Sequence, residues 1–291
     1  MEAARTGAAT AVHDDEYAQN GPEAAATTAS VGSVESVRRA LRILRCFSID
    51  VPELGVSDIA RQLGMHKSTV YRLLSTMELE GFVHQVDGGR YALGWRVFEL
   101  GEAVRGWQSI RNVVLRHLQA LVAETNETAH LAVLDEGSVL YVEKVESPRP
   151  LRMPSSVGKR VPPHCTALGK IFLAGLPQDQ LWPLLYRSHE RFTPSTIVDP
   201  DRLRSEVDAV RANGYAVDHE EIEEGLMCIA APILDDKVVA AAISISGPQS
   251  RIGPRLEQYA AAVQATGEAL SRELGPTARV LHKLASPPRA E

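Results

Sequence analysis

The chain has 291 residues, 44% of them hydrophobic, and a net charge of −6. That is enough for two domains, and there is no overall basic excess of the kind that coats a chain on nucleic acid. Its three cysteines, Cys46, Cys165 and Cys228, are too few and too scattered for a disulfide framework or a Cys-x-x-Cys pair, and no run of about 18 apolar residues exists to span a bilayer.

Residues 1–32 are mostly Ala, Thr, Glu and Gly with few large apolar side chains. Such a composition does not offset ordering entropy, so a disordered N-terminal extension is expected. It has no basic segment followed by an apolar one, hence no secretory signal, and the cytoplasm is the expected compartment. From Val34 the apolar positions Val34, Val37, Leu41, Leu44 and Phe47 recur at helical spacing. Ser57 has the properties of an N-cap for a short helix carrying Ile59, Ala60 and Leu63, which Gly64 ends. A second helix follows almost at once, with Val70, Leu73, Leu74 and Met77 as its buried stripe, and Gly81 stops it. FVHQVDGGRYALG then reads as two strands joined by Asp-Gly-Gly, a strong hairpin signal. Helix, helix, tight turn, helix and hairpin make a winged helix-turn-helix over residues 33–94.

The second helix of that turn starts with His66, Lys67, Ser68 and Thr69, an unusually polar edge. If its apolar stripe is buried, helical geometry turns Lys67, Ser68, Tyr71, Arg72 and Ser75 outward. No acidic residue lies between Arg61 and Glu78, and Ser33 to Arg96 hold nine Lys or Arg against seven Asp or Glu in an otherwise acidic chain. Second helices of this motif lie in the major groove, where Lys67 and Arg72 reach guanine or phosphate and Tyr71 a phosphate or sugar. Arg90 on the hairpin approaches the adjacent backbone. The candidate partner is double-stranded DNA, and the expected contacts are Lys67, Ser68, Thr69, Tyr71, Arg72 and Arg90. A protein-binding winged helix is the competing reading.

Residues 95–118 return to helical periodicity, with Val97, Leu100, Val104 and Trp107 near a heptad seam. A linker helix that meets either a second copy or its own domain is expected. From 119 to 275 strands (128–135, SVLYVEKV, KVVAAAISISG) mix with helices (PHCTALGKIFLAG, DPDRLRSEVDAVRANG, PRLEQYAAAVQATGEALSREL) without regular βαβ repetition. The fold class is therefore mixed, α+β, with a sensor-like second domain. Residues 276–291 read as a flexible tail, although Val280, Leu281 and Leu284 could extend a helix.

Three stretches of the second domain put polar residues where a core does not need them. PPHCTALGK opens a helix, whose first N–H groups form an anion site. Ser244 and Ser246 lie two apart on a strand, so both point to one face, opposite Ile243 and Ile245; that face lines a cavity or is solvated. Asp218, Glu220, Glu221, Glu223 and Glu224 crowd before Gly225 and are expected mostly at the surface, because clustered carboxylates repel when buried. His164 and Cys165 raise an alternative, a Cys-dependent enzyme with an accessory DNA-binding module. Neighbours in a helix point about 100° apart, however, so neither activates the other. No catalytic residue, cofactor or metal site is assigned; Cys165 and Cys228 read as small apolar wall residues.

The whole pattern resembles the IclR family of bacterial transcriptional regulators. SDIARQLGMHKSTVYRLLSTMELEGFV is similar to that family's helix-turn-helix, RYALGWRVFELG to its wing and linker start, and PPHCTALGKIFLA to its signature segment. DHEEIEEGLMCIAAPILD and VVAAAISISGPQSRI resemble its pocket-forming segments. The resemblance implies a GAF-like effector domain, dimers or tetramers, no membrane association, and ligand-responsive control of metabolic genes, with repression the expected mode and a small carboxylate or aromatic acid as effector. Carried over position by position, it implies Met153, Val161, Ala167, Leu168, Asp218, Cys228, Ser244 and Ser246 as effector-binding residues. Many members have Gly-Ala where this chain has Ala167-Leu168, which implies a smaller or differently shaped pocket.

Overall fold

The computed structural model describes residues 33–104, 107–150 and 155–284. Its N-terminal part runs α1 (Glu35–Leu44), β1 (Glu53–Gly55), α2 (Val56–Leu63), α3 (Lys67–Leu79), β2 (Val83–Val86) and β3 (Arg90–Leu93). The three strands form one small antiparallel sheet in the order β1-β3-β2. Ile43, Ile59, Val70, Leu74, Met77, Val83 and Tyr91 make its core. Gly64 ends α2 in the left-handed conformation, at φ 64°, which glycine adopts without the steric cost of a Cβ. The turn to α3 is therefore tight. Gly88 and Gly89 are likewise left-handed at the hairpin tip.

Two expectations change here. The cap of α2 is Gly55, not Ser57, which sits inside the first turn; β1 pairs up to Gly55 and leads straight into the helix. Along residues 34–47, Val34, Val37 and Leu41 are more than half exposed, while Ile43, Cys46 and Phe47 are buried. The segment thus carries two apolar sides, and its periodicity alone did not say which one meets this domain's core.

The expected linker helix is two helices, α4 (Trp95–Glu102) and α5 (Trp107–Thr125). Only α4 stands outside the second domain's core. Ile110, Val114, Leu118 and Leu121 of α5 are fully buried there.

That second domain continues with β4 (Thr128–Asp135), β5 (Ser138–Val145), β6 (Arg160–Val161), α6 (Ala167–Gly175), α7 (Gln178–Tyr186), α8 (Pro200–Asn213), β7 (Ala216–His219), β8 (Leu226–Asp235), β9 (Val238–Pro248), α9 (Gln249–Ile252), α10 (Leu256–Leu274) and α11 (Arg279–Leu284). The strands make a six-stranded antiparallel sheet in the order β6-β5-β4-β9-β8-β7. Alternation divides its side chains cleanly. One face, with Leu131, Ile229, Ile243 and Ile245, packs on α5 and α10 as the main core. The other carries Ala132, Ala216, Ala230 and Ala242 under Leu168, Ile171 and Phe172 of α6. These small residues let α6 sit close, and the row that starts with Ala216 and Ala230 continues as Ser244 and His130. The tail does not begin at 276: Ala278 and Leu281 are buried in the main core. The expected N-terminal extension, 1–32, lies outside the described residues.

Candidate functional site

The first site is the outer face of α3. Val70, Leu74 and Met77 are buried, and Leu73 is partly so. Lys67, Ser68, Tyr71 and Arg72 are exposed and Thr69 is half-buried. Tyr71 keeps 56% of its surface in solvent, far more than an aromatic ring with a packing role would. His66 has extended backbone and no side-chain cap; the Thr69 and Val70 N–H groups donate to its carbonyl, so the N–H groups of Lys67 and Ser68 at the start of α3 are the ones a phosphate can take. Arg90 starts β3 on the wing. Its guanidinium is 2.6 Å from Glu53 on the paired strand β1, yet 56% of the side chain stays exposed.

The second site lies between the alanine face of the sheet and α6. A cavity of about 110 Å³ is lined by Val161, Ala167, Leu168, Asp218, Cys228, Ser244 and Ser246, which sequence reasoning had named, and by residues it had missed, notably His130, Tyr141, Ser155, Lys159, Thr166 and Glu223. Met153 lies outside the described residues. Strand register builds the floor. Asp218 of β7 faces Cys228 of β8, which faces Ser246 of β9, which faces Thr128 of β4. One step along, Ala230, Ser244 and His130 form the next row. Ser244 and Ser246 are 2% and 5% exposed, so this face is not solvated. Register between distant strands is what the sequence could not supply. His130 and Tyr141 were legible only as strand residues.

The floor is polar and incompletely satisfied. His130 Nε2 lies 2.7 Å from Ser155 Oγ, and the ring stacks on Tyr141 with centroids 4.9 Å apart. Burial holds His130 down to about 3, helped by nearby Lys144, so the imidazole is neutral at ordinary pH. Asp218 is fully buried. Its Oδ1 accepts the Glu221 N–H at 2.7 Å, whereas Oδ2 has no partner among the described residues, nor has Ser246 Oγ. Burial pushes Asp218 up to about 7, against the pull of that N–H. Burial beside Asp218 also raises the Cys228 thiol well above its usual value.

At the roof, Thr166 caps α6, its Oγ1 accepting the Gly169 N–H at 3.2 Å. The N–H groups of Ala167 and Leu168, the first two helical positions, take no partner among the described residues. Gly169 is required there, because a Cβ would lie 2.2 Å from Pro163 O.

Behind the floor, Lys170 of α6 is 1% exposed. Its Nζ meets Glu221 Oε1 at 2.5 Å, with Glu206 and the Val217 carbonyl at 3.0 Å each. Of the clustered carboxylates, Asp218 and Glu221 are therefore buried, contrary to the surface expectation; a buried cation and a backbone N–H offset the repulsion. Glu223 and Glu224 are exposed as expected. Thr193 and Thr196 donate to the Glu220 and Glu221 carbonyls at 2.6 and 2.7 Å, so the segment after β7 is pinned from two sides.

His164 and Cys165 precede α6 in a turn rather than lying in it. His164 Nε2 turns to Glu190 O, 2.9 Å away, and its ring packs on His189. Cys165 is fully buried, and desolvation among Asp218 and Glu221 keeps its thiol protonated. A nucleophile held this way is disabled. A larger hollow of about 370 Å³ beside Trp107, Val133 and Leu140 is almost wholly apolar and offers no convergent polar groups to orient a ligand. Among the described residues no group of three or more His, Cys, Asp or Glu could hold a metal, and no helix is long and apolar enough to cross a membrane.

Two family profiles match in chain order: the IclR helix-turn-helix domain over residues 36–87 and the bacterial transcriptional regulator IclR C-terminal domain over residues 103–272. The chain is 37% identical to the HTH-type transcriptional regulator XynR of Escherichia coli over 83% of this chain and 98% of that protein. It is 38% identical to KdgR of the same organism over 84% and 94%. Its fold is similar, at a TM-score of 0.74 and 28% identity over 82% of this chain and 98% of the other, to an IclR homologue from Microbacterium hydrocarbonoxydans complexed with 4-hydroxybenzoate. These relatives are regulators, which removes the enzyme alternative. With a winged helix reading outward at one end and a polar cavity at the other, the chain belongs to the IclR family of DNA-binding transcriptional regulators.

Proposed function

We propose that this regulator is a self-associating repressor of metabolic genes whose effector is a small carboxylate, aromatic or otherwise, bound between α6 and the polar rows of the sheet. The observation that carries the reading is the cavity floor. Ser244, Ser246 and Asp218 are buried polar residues that line it, Asp218 Oδ2 and Ser246 Oγ finding no partner among the described residues, and Ala167 and Leu168 line it from the start of α6. Unsatisfied buried polar groups are costly, so a ligand that pairs them gains that cost back. The size favours a ligand no larger than one ring; an apolar cavity of about 150 Å³ accepts benzene. A homologue that holds 4-hydroxybenzoate is consistent with this class.

Lys67, Ser68, Thr69, Tyr71 and Arg72 would read or position the operator from α3, with Arg90 on the wing against phosphate. Self-association is supported by exposed apolar side chains on adjoining elements: Val34, Val37 and Leu41 of the α1 segment, and Trp95, Phe98 and Leu100 of α4. A two-fold pair of reading helices binds half-sites about one helical turn apart, or a multiple. The ligand acts only by as much as it prefers one arrangement of the pair.

The test is a thermal-shift screen of benzoate, 4-hydroxybenzoate and pyruvate on the wild type and on the double variant Ser244→Ala, Ser246→Ala. The expected result is a carboxylate shift in the wild type, reduced in the variant, with DNA binding intact in both. A full response in the double variant removes the serines from the site.

A further inference from the structure

Asp218 is the buried acid of the cavity lining, and the ligand reading does not yet say how it meets an anion. It has no solvent exposure. One oxygen is committed to the Glu221 N–H; the other, like the hydroxyl of Ser246 across the Cys228 position of the same row, has no partner among the described residues, and both residues line the cavity. An ionised Asp218 would repel any anion placed between it and the Ala167 and Leu168 N–H groups. Burial outweighs the groups that favour its charge, the Glu221 N–H, the Lys170 ammonium and the Cys228 thiol, and Lys170 is itself paired with Glu221 and Glu206.

Resting on the carboxylate reading above, we propose that Asp218 engages the ligand as a neutral carboxylic acid. Its Oδ2 donates a hydrogen bond to a ligand carboxylate oxygen, with Ser246 alongside, so that each ligand captured takes up one proton. The proton comes from solvent and stays on Oδ2; no bond to the ligand is made or broken. A carboxylic acid donating to a carboxylate is the strong, charge-assisted case of a hydrogen bond.

The groups facing Asp218 leave it as the one that changes state near neutrality. Cys228 on β8, Cys165 before α6 and Tyr141 on β5 are raised by burial and stay neutral. His130 on β4 is held neutral by desolvation. Glu221, raised by burial, is drawn back by its ion pair with Lys170. Lys159 and Glu223 are exposed side chains of opposite charge on the lining. The free-state value of about 7 for Asp218 sets the expected window. Proton uptake per ligand is about one half at pH 7 and about 0.9 at pH 8, and affinity falls about tenfold for each pH unit above that value.

The experiment is isothermal titration calorimetry of the full chain with benzoate, 4-hydroxybenzoate and pyruvate, at pH 7 and 8, each in phosphate and in Tris. The two buffers differ in ionisation heat, so their difference counts protons. Asp218→Asn keeps an acceptor for the Glu221 N–H and a permanent donor toward the cavity. It should bind with no proton uptake and no pH dependence, and at pH 9 more tightly than the wild type by up to about 100-fold. A merely structural Asp218 predicts no such gain. Binding of a probe at pH 8 with uptake below about 0.2, an Asp218→Asn variant with wild-type pH dependence, or benzylammonium outcompeting benzoate overturns the proposal. If the variant does not fold, the wild-type proton count decides alone. If no carboxylate binds the wild type at any pH, the effector-class reading falls and this inference with it.

Discussion

Replacing Lys170 with methionine tests how the cavity's polar floor is held up. Its ammonium is almost completely buried and is the cation beside Glu221, itself 3% exposed. Methionine keeps an unbranched apolar stem but leaves that carboxylate unpaired. A buried carboxylate escapes by protonating, which caps the penalty. At pH 7, protonating a glutamate of ordinary value near 4.3 costs about 3.7 kcal/mol, at about 1.36 kcal/mol per unit. Removing Lys170 also removes its own desolvation cost, so a net loss of about 2–3 kcal/mol is expected. In the variant the folded Glu221 value lies above the unfolded one. The deficit is therefore fully present at high pH, shrinks as pH falls through the folded value, and vanishes below the unfolded value. At pH 5 the cap is only about 1 kcal/mol. For a domain of this size the variant should melt about 4–12 °C below the wild type at pH 7, and less than about 4 °C below it at pH 5. Differential scanning calorimetry at both pH values reads this directly. An equal deficit at pH 5 and pH 7, or none at pH 7, refutes the account of a buried ion pair supporting the segment after β7.

Other expectations follow from packing. Leu41→Glu, at a position 56% exposed on α1, should leave the fold unchanged and shift sedimentation toward the monomer with weaker DNA binding; an unaltered oligomer removes this face from self-association. Gly94→Ala would place a Cβ 2.2 Å from Gly81 O, a backbone clash that small rotamer changes do not relieve. It should cost the winged helix about 1–3 kcal/mol in urea unfolding while leaving the second domain's transition in place; a silent substitution would mean that the strap between α3 and α4 is looser than it stands here.

Much of the winged helix was legible in the sequence, because its signals are local: glycine stops at 64 and 81, the Asp-Gly-Gly hairpin, and the polar start of α3. Where periodicity served two faces at once, as in α1, it did not identify the inner one. The helix break after Glu102 has no proline signal, and a continuous heptad seam read straight through it. In the second domain, the alternation of Ser244 and Ser246 against Ile243 and Ile245 correctly separated the two faces of β9. The rows across β7, β8, β9 and β4 depend on register between residues more than a hundred positions apart, such as Thr128 and Ser246, which no local pattern carries. Charge repulsion alone wrongly placed Glu221 at the surface, since Lys170 reads as one more helical lysine until the fold brings it inside.

The central claim is that the wet face of α3 reads a DNA groove. Selection of binding sites from a random duplex pool by the full chain, followed by footprinting with wild type and Arg72→Ala, tests it most directly. The account predicts that the wild type enriches and protects two related half-sites about one helical turn or a multiple apart, and that Arg72→Ala retains its fold while losing specific protection. Enrichment of no sequence, or the same footprint at the same affinity from Arg72→Ala, would contradict it.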